Sequence, residues 1–74
     1  MAKFYITYDI ENVSIVRIVN FLVSYKVMSL AEAVTSLVPK YNSGETVVIE
    51  IQDEELAARF RDDLDSDRWN YRYE

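Results

Sequence analysis

The segment Thr46-Val-Val-Ile-Glu-Ile51 reads as a β-strand, and it dictates what must surround it. Val47, Ile49 and Ile51 project to one face and Thr46, Val48 and Glu50 to the other, because successive strand side chains alternate. Such a strand must pair with others and bury its apolar face under a second layer. Two further segments alternate in the same way. In Lys3–Asp9, Phe4, Ile6 and Tyr8 share a face, and in Trp69–Tyr73, Trp69, Tyr71 and Tyr73 do so. These nine side chains are the expected inner face of a three-stranded sheet.

The intervening sequence carries the helical period. Val13–Val23 is rich in β-branched residues, which favours strand. At 100° per residue, however, Ile15, Val16, Ile18, Val19, Leu22 and Val23 fall on one side. Val13, Ser14, Arg17, Asn20, Phe21 and Ser24 fall on the other. Asn12 is placed to cap this helix. A run of this length, holding Arg17 and Asn20, is far short of the roughly 20 residues that cross a bilayer. Tyr25–Met28 connects to Ser29-Leu-Ala-Glu32, a capping box. The stripe Leu30, Ala33, Val34, Leu37, Val38 then predicts a second helix that Pro39 ends, for want of an N–H. Tyr41–Gly44 reads as a turn. Asp53 caps a third helix with apolar positions Leu56, Ala57, Phe60 and Leu64, and with Glu55–Arg59 and Arg61–Asp65 spaced to pair.

The expected architecture is therefore α+β: a two-layer sandwich in one domain over residues 1–74. A three-stranded sheet carries three helices on one face, in the order βααβαβ. The chain, 74 residues, resembles in this order the C-terminal domain of the bacterial ribosomal stalk protein. The resemblance centres on Met28-Ser-Leu-Ala-Glu-Ala33 followed by Leu37-Val38-Pro39. The Clp protease adaptor fold is similar in topology. In the stalk family this helix presents lysines to translation factors; here Ala31 and Val34 flank Glu32 and only Lys26 is near, so the resemblance implies a fold and no shared partner. In composition (short, acidic, tyrosine-rich) the chain is similar to small accessory proteins of large tailed bacteriophages, many of which bind and retune a host protein.

Chemistry is restricted by what is missing. The sequence holds no Cys and no His, so it offers no disulfide, no thiolate ligand and no imidazole for proton transfer or for activating its serines. Its single glycine cannot build a phosphate-cradling loop. No catalytic, cofactor or metal site is expected. Asp62, Asp63, Asp65 and Asp67 lack the glycine bend and distal Glu of a calcium loop, and read as a solvated helix end.

Net charge is −5, and residues 53–74 hold eight carboxylates against four arginines. This balance disfavours nucleic acid, whose phosphates require clustered cations. The expected function is a non-enzymatic protein–protein interaction module, in the phage reading one that modulates a host protein. The candidate contacts are Arg17, Phe21 and Tyr25 on the first helix, Tyr5 on the outer sheet face, and Asp62 and Asp63 on the third helix. Phe21 lies either exposed among polar neighbours, as interface aromatics do, or under the 25–28 connection. The alternatives are a nucleic-acid-binding domain using Lys3, Tyr5, Arg68, Asn70 and Arg72, or an acidic decoy for a basic partner. The partner is expected to be another protein, the chain a monomer or a homodimer through its last strand, and no membrane is involved. No basic, Ser-rich leader opens the sequence, so the cytoplasm is expected, that of the host cell if the chain is phage-encoded.

Overall fold

The computed structural model describes residues 2–12 and 14–74. Strand β1 spans Ala2–Ile6, helix α1 Val16–Ser24, helix α2 residues 30–42, strand β2 Val47–Ile51, helix α3 Glu54–Ser66 and strand β3 Tyr71–Tyr73. The result is the expected α+β order, a three-stranded sheet with three helices. The strands lie in the order β2-β1-β3, and β1 is antiparallel to both neighbours. β2 and β3 are therefore parallel to each other, and β2–α3–β3 is a split β-α-β unit around β1.

The inner face is close to the expected one. Phe4, Ile6, Val47, Ile49 and Ile51 are buried, joined by Ala2. β1 ends at Ile6, so Tyr8 lies beyond the ladder, with its ring 5.2 Å from that of Tyr41. Trp69 is buried but precedes β3. Its N–H closes the end of α3 by bonding to the carbonyl of Leu64 at 2.9 Å. Tyr73 tilts against Phe4 at 5.0 Å but is 45% exposed, because it sits on an edge strand of three residues.

Asn12 does not cap α1. Residues Ile10–Asn12 form a single 3-10 turn, held by Asp9, whose side chain accepts from the Glu11 N–H at 2.9 Å. The Asn12 side chain instead donates to the carbonyl of Arg68 at 3.2 Å, tying this turn to the end of α3. Val13 lies outside the described residues. α1 begins later, at Val16, and packs inward through Ile18, Val19 and Leu22, while Val16 is exposed. A nine-residue helix buries only a narrow stripe, and Val16 falls off its margin.

Pro39 does not end α2. Leu30–Glu32 is α-helical, with the Ser29 hydroxyl accepting from Glu32 N–H at 3.1 Å. Ala33–Leu37 is a π-helical turn in which Val38 donates to Ala33, and Val38–Asn42 is α-helical again. The wide turn gives the pyrrolidine ring the room that a regular helix denies it beside the carbonyl four residues back. Tyr41, expected in a turn, is thereby a wholly buried helical residue. The inward stripe of α2 is Ala33, Leu37 and Tyr41; Leu30 and Val34, expected inside, are exposed. The Tyr41 hydroxyl donates to the Asn12 carbonyl at 2.5 Å and accepts from Asp9 N–H at 3.4 Å, and the ring meets Trp69 edge-on at 5.6 Å.

All three helices stop in the same way. After α1, Lys26 N–H bonds to Val23 and Val27 N–H to Leu22. After α2, Gly44 bonds to Tyr41 and Glu45 to Lys40. After α3, Arg68 bonds to Asp65 and Trp69 to Leu64. This double bond is the Schellman motif, whose penultimate residue takes a left-handed backbone. Only Gly44 does so freely, at φ 88°; Lys26 and Arg68 adopt φ 60° and 58° with a side chain in place. No helix of the described residues is long and apolar enough to cross a membrane.

Two expectations follow. Left-handed backbone costs a non-glycine residue about 1 kcal/mol, less the few tenths that a cation contributes at a helix C-terminus. Lys26→Gly and Arg68→Gly should therefore each raise the urea midpoint, and Gly44→Ala should lower it. Burial, its largest cause, holds the Tyr41 phenol above its ordinary value of 10.0, with the Asp9 carboxylate adding to the rise and the Asp9 N–H opposing it. The unfolded chain loses phenol protons near pH 10 while the folded chain keeps them, so stability should fall as pH rises through that range. Absorbance titration at 295 nm should show a delayed fraction, and Tyr41→Phe should shrink it. That variant should also cost about 2 kcal/mol by leaving the Asn12 carbonyl unpaired.

Candidate partner-binding groove between the first and last helices

Helical spacing places Arg17, Asn20, Phe21 and Ser24 on one face of α1, with Tyr25 just past its end. In the folded chain that face looks across at α3. Asp63, Ser66 and Asp67 complete an open groove of about 530 Å³. Four of the six candidate residues, Arg17, Phe21, Tyr25 and Asp63, thus share one concavity. Asp62 is exposed outside it, one residue and about 100° round the helix from Asp63.

Phe21 lies between the two expected positions. It is half-buried, its ring 5.1 Å from Phe60 of α3 and 4.6 Å from Tyr25. Phe60 is wholly buried and meets Phe4 edge-on at 4.9 Å. A line of aromatic rings therefore runs from the central strand to the groove, and each ring seats the next. Phe21 forms the fixed floor and Tyr25, 45% exposed, the accessible wall. At the other end, Arg17 Nη1 and Asp67 Oδ1 close the groove with a charged hydrogen bond of 2.6 Å.

The carboxylates of α3 do not converge on one point. Asp67 is engaged by Arg17, and Asp65 accepts from the Tyr71 hydroxyl at 2.6 Å. Burial first, and the Asp65 hydrogen bond second, hold the Tyr71 phenol above its ordinary value; Arg61 opposes both. Neither expected helical pair forms within 4 Å among the described residues. Arg61 lies over the Tyr73 ring at 4.8 Å instead. Asp53 caps α3 as expected, accepting from Leu56 N–H at 3.0 Å. Among the described residues no group of three or more acidic side chains is arranged to hold a metal ion.

Tyr5 lies apart, on the outer face of the sheet. Opposite it in register are Val48 and Arg72. The Arg72 guanidinium stacks on the Tyr5 ring at 4.3 Å, and the Tyr5 hydroxyl donates to Glu74 at 3.4 Å. Lys3 pairs with Glu50 at 3.7 Å and Arg72 with Glu74 at 3.9 Å. Of the cations expected to form a basic patch here, Lys3 and Arg72 are thus matched by carboxylates. Arg68 belongs to the stop of α3 and not to β3.

Asn20 and Ser24 were legible as members of the polar face of α1. That Ser66 and Asp67 oppose them depends on how α1 and α3 cross, and no local spacing encodes it. Comparison with family models, curated proteins and solved structures found no match to this chain.

Truncating Phe21 should cost about 2 kcal/mol, because it removes a half-buried ring from Phe60. Tyr25→Ala, at an exposed position, should stay within about 0.5 kcal/mol. Thermal denaturation of the two variants checks this difference.

Proposed function

We propose that this chain is a non-enzymatic protein-binding module and that the α1–α3 groove is its contact surface. The observation that carries this reading is the Phe21–Tyr25 pair, accessible at one wall and held from beneath by Phe60. An aromatic fixed before binding loses little conformational freedom when a partner covers it, and interface energy concentrates on such residues. The polar rim of Asn20, Ser24, Asp63 and Ser66 supplies hydrogen-bonding groups around it.

Two further features support a binding role over chemistry. Among the described residues no charged side chain is buried, and the sequence contains neither Cys nor His. The matched charges of the outer sheet face, with a net charge of −5, favour a protein over a nucleic acid. The likeness in composition to small phage accessory proteins directs the search toward a host protein, which the chain would modulate by occupying it.

Immobilised chain should capture a defined partner from a bacterial lysate, identified by mass spectrometry. Tyr25→Ala and Ser66→Arg, the second filling the groove, should abolish that capture. Tyr5→Ser on the opposite face should leave it unchanged. Capture that survives both groove variants removes this surface from consideration.

A further inference from the structure

The backbone hydrogen bonds of the sheet identify a second surface. Lys3 exchanges two bonds with Glu74, at 3.0 and 2.9 Å, and Thr7 donates to Asn70 at 2.9 Å. The odd-numbered residues of β1 thus bond to the β3 side. In antiparallel pairing the two sides alternate, so Ala2, Phe4 and Ile6 bond to Ile51, Ile49 and Val47 of β2. It follows that Val48 and Glu50 direct their N–H and C=O groups outward. β2 is an edge strand, and among the described residues no other backbone group bonds to those four.

Edge strands are ordinarily blunted by Pro, by a bulge or by a free lysine. The stretch Val-Val-Ile-Glu-Ile has none of these, and its one charge, Glu50, is matched by Lys3 within the sheet. Val48 is 49% exposed beside it. On the helix side of this edge, Glu32, Ser36 and Lys40 line a cavity of about 170 Å³ against Val47 and Val48. They stand four residues apart in a row along α2, with an acid at one end, a neutral residue in the middle and a base at the other.

We infer that β2 pairs antiparallel with β2 of a second copy of this chain, giving a continuous six-stranded sheet about a two-fold axis at Ile49. That axis sets Val48 opposite Glu50 of the second copy, so the four outward groups on each strand find partners. It also avoids setting Glu50 against its own copy, which repels. The same rotation reverses α2, so Glu32 faces the second copy's Lys40 and Ser36 faces its own equivalent. An isologous interface must be complementary to itself, and both the strand and the helix row meet that condition. This choice of occupant rests on that self-complementarity of hydrogen bonding and charge. None of these residues lines the α1–α3 groove, so the inference stands independently of the reading given to it.

Sedimentation equilibrium of the full chain should give twice its 8.7 kDa mass as concentration rises from micromolar to millimolar. Over the same range the Val48 and Glu50 amides should become protected from hydrogen exchange. Val48→Pro deletes an outward N–H without touching the β1 ladder and should leave a folded monomer. Glu32→Lys and Lys40→Glu, both on the exposed surface, should each weaken pairing about tenfold by turning two symmetry-related ion pairs into repulsions. The double variant should restore it, and an extended peptide from another protein would show no such restoration. The inference is overturned by a single-chain mass at every concentration. A dimer whose two edge amides stay unprotected, or one indifferent to the charge reversals, overturns it equally. Should Val48→Pro fail to fold by circular dichroism, the exchange and charge-reversal measurements decide alone.

Discussion

Phe4 stands at the centre of the central strand, and its edge-to-face contact with Phe60 is where the sheet and the helical layer are joined. β1 has a neighbour on each side, so whatever fixes a helix to Phe4 fixes it to the whole sheet. Phe60 then positions Phe21, and Phe21 positions Tyr25. An offset or edge-on aromatic pair contributes about 1 kcal/mol beyond its buried area. The geometric consequence is larger than that figure suggests. The orientation of the groove wall is inherited, ring by ring, from the middle of the sheet. A substitution at Phe4 or Phe60 would therefore disturb the candidate binding surface without touching it.

Tyr41 performs the complementary task on the other side of the core. Its ring packs against Trp69 and Tyr8, and its hydroxyl holds the turn that leads from β1 into α1. It can do so because α2, after a π-helical turn at Ala33–Leu37, continues through Pro39 for one more turn of helix. Two departures from regular structure, the wide turn and the left-handed Lys26 and Arg68, thus occur where a helix must carry or release a core residue. Val27 and Trp69, immediately after the left-handed positions, are the residues whose N–H groups reach back to Leu22 and Leu64. The backbone strain at the stops of α1 and α3 is offset by the hydrogen bonds and packing it makes possible.

The two surfaces proposed for contact differ in kind. The α1–α3 groove offers side chains: a seated aromatic pair with a polar rim. The β2 edge offers main chain: unpaired amides and carbonyls beside an apolar strand. The first distinguishes partners by shape and the second by register. Because they occupy different parts of the molecule, a dimer formed through β2 would present two grooves.

Strand alternation in 47–51 and 3–6, the caps at Ser29 and Asp53, and the inner residues of β1 and β2 were legible in the sequence because each depends on neighbours within a few positions. So was the polar face of α1, and with it Arg17, Phe21 and Tyr25 as candidates. Periodicity could not show that Pro39 lies inside a helix, since the wide turn before it departs from the regular helical spacing that periodicity reads. Nor could it show that Asn12 binds a carbonyl 56 residues away, or which side of Phe21 would be covered. Those outcomes depend on how α1 and α3 cross above the sheet. Local spacing sets which residues share a face; only the packing of the two layers decides what that face meets.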